Sequence, residues 1–408
     1  MRFLFNTTAY KPAYRQGGPV VSVSGLAESL VASGHHVTVL ASNRDLDVTM
    51  DIDHSRDHVV DGVLVRYFPA MPTILQRTGI PAFARARVYT LGPAFERWLQ
   101  ANGRGYDVFD NQITFTGSNP VVSAFARRNG KVAFYHQRGN LDPKRLAFGK
   151  WKKTLYLVLT ELPVMRKADV LIALTSYEVS TYRRLGLKNQ IEVLPNGISE
   201  CLLPQRDLRP SAAVADSLHS LGNGPCFLFM SRIHLSKGPE IFVDAFISCA
   251  GRCPGAVALM AGPDESNLVC GFLSKVGAAG LRSRFRYIGA VAGDDKLSVL
   301  KRADCLVLPT MSEGFSVSIL EALASRCAVM TTTDACFPEI ESIGAGAVVA
   351  RRCDAFAARM TEWAEAGCTM LAEMGERGAT LVREKFTWSS IASRYAALAL
   401  RLASNPRH

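Results

Sequence analysis

No cysteine occurs in this sequence before Cys201, although ten are present in its 408 residues, and no two stand as C-x-x-C. A zinc ribbon and a dithiol redox motif are therefore not expected. Cys249 and Cys253 could share a helix face, but small buried side chains in a reducing compartment are the economical reading of the set. No apolar run approaches the roughly 20 residues that span a bilayer. The N-terminus, MRFLFNTTAY, offers one Arg and a short apolar stub, too little for a signal-peptide core. A cytoplasmic protein is the expectation. No G-x-G-x-x-G follows the first apolar run, so the dinucleotide fingerprint is missing. Disorder is not expected either, because 48% of the residues are hydrophobic and the mean hydropathy is +0.09.

What is abundant is positive charge, and it is local. The formal net charge is +11, and the stretch from Arg127 to Lys167 alone holds eleven cations against Asp142 and Glu161. Phe148, Trp151, Leu155, Tyr156 and Leu159 recur within it at helical spacing. A basic amphipathic helix over 144–167 suits an anionic membrane surface or an acidic partner. The alternative is a helix packed on its own domain with a solvated basic face. No nucleic-acid motif accompanies the charge, so nucleic acid is not an expected partner.

Short apolar runs alternate with amphipathic stretches along the whole chain. RFLFN (2–6), HHVTVLAS (35–42), GVLVRYF (62–68), YDVFDNQ (106–112), KVAFYHQ (131–137), ADVLIALT (168–175) and IEVLPNG (191–197) read as strands. A second series comprises CFLFMSR (226–232), AVALMAGP (256–263), FRYIGA (285–290), DCLVLPT (304–310) and CAVMTT (327–332). Strands apolar on both faces and separated by helices imply parallel sheets covered on both sides. The stretch from Glu200 to Asn223 has no clear strand and reads as a linker. The expected fold class is α/β, with two doubly wound domains, each binding ligands at the C-terminal ends of its strands and facing the other across a cleft. The boundaries are 1–200, 201–385 and a closing helix, 386–408, that crosses back to the first domain.

Three loops carry chemistry. In YRQGGP, Gly17 and Gly18 precede a helix, where close backbone approach and unpaired N–H groups suit an anion, although a plain tight turn has the same letters. In SRIHLSKGPE, Arg232 and Lys237 leave one strand–helix loop, and a guanidinium with an ammonium suits a diphosphate. In SEGFSVSILEA, Glu313 leaves the DCLVLPT strand. Gly314, Phe315 and Ser316 follow at a helix start, and Glu321 lies in its first turns. Ser318 and Glu321 have the spacing of a capping box, which is the purely structural alternative for Glu321. Cations for phosphates and carboxylates for sugar hydroxyls, leaving one sheet at one edge, describe a nucleotide-sugar site. DLD (45–47) and DID (51–53) have the letters of a D-x-D metal motif but read as one solvated acidic loop.

The chain resembles a retaining glycosyltransferase of the GT-B fold, glycosyltransferase family 4, over nearly its whole length. The resemblance rests on the GGP loop, GHHVTVL, LPNGI, SRIHLSKGPEIFVDAF, MAGP, ADCLVLPT, EGFSVSILEALA with its E-x7-E, and KFTWSSIASRYAAL. HQRGNLDPKRLAFGKWKK is similar to a segment of bacterial polysaccharide members. Ser231 stands where the family usually has Gly, and Gln137 where an acid often follows the histidine. The resemblance implies that Arg232 and Lys237 bind the donor diphosphate, that Glu313 contacts the transferred sugar, and that Glu321 holds the ribose. The amides of Gly314 to Ser316 would complete the cradle. Gly17, Gly18 and His136 would approach the donor from the acceptor-binding first domain.

It further implies a UDP- or GDP-linked sugar as donor, no cofactor and no metal, with fixed cations stabilising the departing nucleoside diphosphate. No carboxylate nucleophile stands out in the first domain, so same-face attack is implied, with the leaving phosphate deprotonating the acceptor. A glycan or polyprenyl-diphosphate-linked saccharide in polysaccharide assembly is the expected acceptor. The competing expectations are a nucleotide-sugar epimerase or phosphorylase of the same fold, or a non-catalytic peripheral membrane protein; the expected location is cytoplasmic, with peripheral attachment to the inner face of the plasma membrane left open.

Overall fold

A computed structural model describes residues 1–72, 89–143, 150–199 and 207–404. Cys201 and the cationic and aromatic positions of 144–149 lie outside the described residues. The chain divides into two compact units, Met1–Gly197 with Trp388–His408, and Ile198–Thr387.

The main sheet of the first unit contains β1 (Arg2–Asn6), β2 (His36–Ser42), β3 (His58–Val60), β4 (Val63–Phe68), β5 (Val108–Asn111), β6 (Val132–His136), β7 (Val170–Ala173) and β8 (Gln190–Val193). Their spatial order is β8-β7-β6-β5-β1-β2-β4-β3, parallel except for β3. The period of two explains why these strands read as continuous apolar runs. Phe3 and Phe5 point into one core with Val37, Val39, Ile391, Tyr395 and Leu398, while Leu4 points into the opposite core with Leu40, Phe95, Leu99 and Phe109. The strand β3 pairs antiparallel with β4 through Asp61 and Gly62, which have φ of 50° and 82°. That is the Asp-Gly hairpin turn, whose two positive φ values match the strand twist.

The second unit has β9 (Cys226–Met230), β10 (Val257–Ala261), β11 (Phe285–Gly289), β12 (Cys305–Leu308), β13 (Ala328–Thr331) and β14 (Gly346–Val348), in the order β11-β10-β9-β12-β13-β14. All six are parallel. The order reverses between β9 and β12. Loops leaving neighbouring strands at such a reversal diverge to opposite faces and open a crevice between them. The loops there are SRIHLSKG and PTMSEGFS, which is why residues far apart in sequence meet. The stretch read as a linker contains a helix, Ala212–His219. Its approach is anchored to the Gly293–Arg302 helix through Arg209 N to Asp294 and Ser211 to Asp295. Among the described residues no helix is long and apolar enough to cross a membrane.

Candidate functional site

In the second unit, β9 runs into a short 3-10 turn, Leu235–Lys237, and then the helix Pro239–Arg252. Gly238 joins them at φ 70°, and a Cβ there would strike the Pro309 carbonyl at the end of β12. Only glycine meets both conditions. The close approach is reinforced by Met311 N donating to Ser236 O at 2.9 Å and by Arg351, whose Nε donates to Pro309 O at 3.0 Å. The two loops are thereby locked, and Lys237 Nζ reaches Glu313 Oε1 at 2.6 Å. Both side chains are nearly buried, 8% and 12% exposed.

The helix after β12 spans Val317–Ala324, and its N-cap is Ser316, whose hydroxyl accepts from Ile319 N at 3.4 Å. Ser318 is the helix's second residue, so the Ser318–Glu321 capping box does not form. Glu321 instead accepts from Lys296 Nζ at 2.6 Å, a residue of the Gly293–Arg302 helix. The N–H groups of Gly314, Phe315 and Ser316 donate to no described residue. Unpartnered N–H groups at a helix start have the chemistry that suits an anion. The Phe315 ring is turned away into a cluster with Phe337 and Phe386, centroids 5.2 and 5.8 Å away, so this residue offers its amide and not its side chain.

Beside this lies a depression of about 200 Å³ lined by Arg232, Gly262, Pro263, Val291, Lys296 and Glu321, among others. Arg232 pairs with Glu265 at 2.9 Å, with side chains 54% and 42% exposed. Such a solvated pair contributes about 0.2–1 kcal/mol, so Arg232 can change partner at little cost. The buried Lys237–Glu313 pair is different in kind, because removing either partner strands a charge.

In the first unit, His136 ends β6 and is buried, its Nδ1 3.0 Å from Asp110. Asp110 also accepts from Tyr395 Oη at 2.7 Å and Gln112 Nε2 at 2.8 Å. Tyr395 and Gln112 both donate to this carboxylate, and a carboxylate oxygen accepts. His136 therefore carries its proton on Nδ1 and presents Nε2 as an acceptor. Burial pushes the imidazole below its ordinary pKa, against the opposing pull of Asp110. Arg138, two residues on, is buried, which lowers its pKa to about 10. It donates to Ser22 Oγ at 3.0 Å and Asn196 Oδ1 at 3.3 Å, tying the end of β6 to the first helix, Gly18–Ala32. Of the cations counted between Arg127 and Lys167, Arg138 therefore belongs to the interior. Gly17, at φ 73°, caps that helix with Gly18 beside it, both exposed.

The two Asp-rich triplets are not one solvated loop. Asp45 is buried in a small hairpin, Arg44–Asp45 with Val48–Thr49, and accepts from Arg15 N at 3.4 Å, while Asp47 pairs with Arg15 at 3.0 Å. Of the candidate residues, Lys237 and Glu313 are in contact, and Arg232 and Glu321 share a depression. Lys296, Asp110, Arg138 and Tyr395 escaped sequence reasoning. Only Tyr395 had a usable signal, an aromatic in the KFTWSSIASRYAAL segment.

Residues 17–197 match the family model described as a glycosyl transferase 4-like domain, and residues 224–366 match glycosyl transferases group 1. Curated relatives include a D-inositol 3-phosphate glycosyltransferase from Saccharomonospora viridis, 26% identical over 76% of this chain and 71% of that protein. A lipopolysaccharide core biosynthesis mannosyltransferase, LpcC, from Rhizobium leguminosarum is 28% identical over 55% of this chain and 62% of its own. Among solved structures, HepE from Anabaena in complex with UDP and glucose superposes with a TM-score of 0.72 at 17% identity, covering 98% of this chain and 100% of that one. A sucrose-phosphate synthase from Thermosynechococcus elongatus gives 0.70 at 19% identity, covering 99% of each chain. At these identities the structures speak to the fold, which they share.

Proposed function

The chain belongs to the GT-B glycosyltransferases of the family 4 type, and on that premise we propose that it moves a sugar from a nucleoside-diphosphate sugar to a glycan or polyprenyl-diphosphate-linked acceptor with retention of anomeric configuration. The Lys237–Glu313 contact beside the open amides of Gly314 to Ser316 carries this reading. It supports the reading because a cation, a carboxylate and a helix N-terminus on adjoining loops are the groups that suit a sugar diphosphate.

The roles follow from charge. As the glycosidic bond breaks, negative charge gathers on the leaving diphosphate. Lys237 and the three amides stabilise that charge, and Arg232 joins them by leaving its weak pair with Glu265. Glu313, held by Lys237, accepts from hydroxyls of the transferred sugar. Glu321, held by Lys296, accepts from the ribose. Within the first unit, His136 presents Nε2 to accept from a hydroxyl, and Gly17 and Gly18 leave the start of the first helix open to close approach. The leaving phosphate takes the acceptor proton, so no protein base is required on the attacked face. A UDP-sugar is the first donor to test, since HepE, with the same fold, binds UDP and glucose. A polyprenyl-linked acceptor is held at a bilayer, which would make a membrane surface a second partner.

The test is a thermal-shift screen of UDP, GDP, ADP and their sugars, since a ligand that binds only the folded state raises Tm. One nucleotide should stand out, and its sugar should be consumed by the intact chain. If none of them shifts Tm, the donor assignment fails.

A further inference from the structure

The 150–167 stretch packs Leu157, Leu162, Val164 and Met165 into the core of its own domain and still leaves a second aliphatic set in solvent. It runs as helix Lys150–Tyr156, a π turn Leu157–Glu161, and helix Leu162–Arg166. Its single acid, Glu161, is fully buried, accepting from Phe115 N at 2.7 Å and from Asn119 Nδ2 at 3.3 Å, with the Tyr135 hydroxyl as a further donor. Leu155, Val158 and Leu159 are 47%, 50% and 67% exposed. The π turn faces Glu161 and Leu157 inward and leaves Val158 and Leu159 in solvent.

The neighbouring helix, Asn119–Arg128, has no acid and ends in Arg127 and Arg128. Between the two elements lies a groove of about 560 Å³, lined by Pro120, Leu159 and Pro163 together with Arg127, Arg128 and Lys167. Arg127, Arg128, Arg166 and Lys167 are exposed, and none forms an ion pair with a described residue. Unpaired cations around exposed aliphatic side chains, with the local acid withdrawn into the core, form a surface of one charge sign with an apolar centre. A protein partner of ordinary mixed charge would leave these cations unmatched. A nucleic acid would gain nothing from the leucines and the valine. An anionic bilayer satisfies both, because aliphatic side chains enter the headgroup boundary while cations meet lipid phosphates.

We propose that this face of the first unit docks on a bilayer containing anionic lipids, with Leu155, Val158 and Leu159 entering the interface and Arg127, Arg128 and Lys167 gathering lipid phosphates along the groove. The proposal uses none of the residues assigned to the donor, and its test needs no turnover.

The full chain is floated with phosphatidylcholine vesicles, with and without phosphatidylglycerol, across a range of salt. Flotation should require phosphatidylglycerol and weaken as salt rises. Each cation near such a surface is worth about fivefold in affinity, so Arg127→Gln with Arg128→Gln should weaken binding roughly 25-fold. Leu155→Ser with Leu159→Ser should remove the binding that survives high salt. Tm measured on every variant shows that it is folded, and the charge and apolar pairs fail independently. Equal flotation on neutral vesicles, no flotation of the wild type, or wild-type flotation of both folded variants overturns the proposal. Capture on RNA without flotation overturns it too. Loss of the nucleotide-induced Tm shift with flotation intact would strike the glycosyltransferase reading and leave this one standing.

Discussion

The two glutamates of the E-x7-E stretch are each met by a lysine at 2.6 Å, Glu313 by Lys237 and Glu321 by Lys296. The lysines fix where the carboxylates point before any ligand arrives, and preorganised groups cost no rearrangement in the transition state. This predicts a graded mutant series. Glu313→Gln keeps the shape and a hydrogen bond to Lys237, so nucleotide-induced Tm shifts should persist. Transfer should fall by about 10²–10³, the loss typical of removing one group that acts in the transition state. Both changes strand a nearly buried ammonium, and Glu313→Ala, which keeps no hydrogen bond to it, should lower Tm further, at roughly 3–5 kcal/mol. Unchanged turnover in Glu313→Gln would remove this residue from the mechanism.

His136 gives a pH prediction at the same scale. Burial lowers its pKa in the folded chain, so the unfolded chain binds the extra proton first. Its contribution to stability is complete above the unfolded value of about 6.5 and is lost as pH falls through it toward the folded value. Tm should therefore decline from about pH 6.5 downward, before carboxylates begin to titrate. His136→Gln should flatten that limb, with a ceiling for one group of about 1.4 kcal/mol per pH unit. An identical limb in the variant would assign the decline to other groups.

Elements explain what could be read in advance and what could not. Strands such as RFLFN and CFLFM were legible because a sheet covered on both faces needs apolar residues at both parities. The Asp61–Gly62 hairpin had its signal in the sequence and was passed over, because β3 is short and half exposed. The cap lies at Ser316, two residues before the Ser318 of the capping-box alternative. Both Ser316 and Ser318 can cap, and the choice was made by β12 and the Phe315 cluster, which fix where the chain enters the helix. The cap predicts a sharp contrast. Ser316→Ala should lower the stability of the second unit by about 1 kcal/mol, and Ser318→Ala should leave it near wild type. Equal effects in urea unfolding would return the cap to Ser318. Lys296 was invisible for a different reason. Its partner is 25 positions away on another helix, and no local spacing encodes that meeting.

Across the whole molecule, the longest-range contacts are made by the last helix. Trp388–Ala403 belongs to the first unit, and Tyr395 donates to Asp110, 285 positions earlier. The Trp388 ring lies so close to Gly25 and Gly197 that a Cβ at either would collide with it. The end of the chain thus completes the core beneath His136, and the histidine's tautomer depends on it through Asp110. Tyr395 is then a positioning residue. Tyr395→Phe keeps the packing but removes one of three donors to Asp110, so it should shift the acidic limb of the activity–pH profile with little change in Tm. Trp388→Ala removes a large buried ring, at about 3–5 kcal/mol. For a unit of this size that lowers Tm by roughly 10 °C. The loss falls on the first unit, whereas the Lys237–Glu313 and Lys296–Glu321 pairs lie wholly in the second. Calorimetry of Trp388→Ala should show a transition moved down and a second one that the donor nucleotide still raises. A single transition, lowered as a whole and insensitive to nucleotide, would mean that the second unit cannot hold its site without the first.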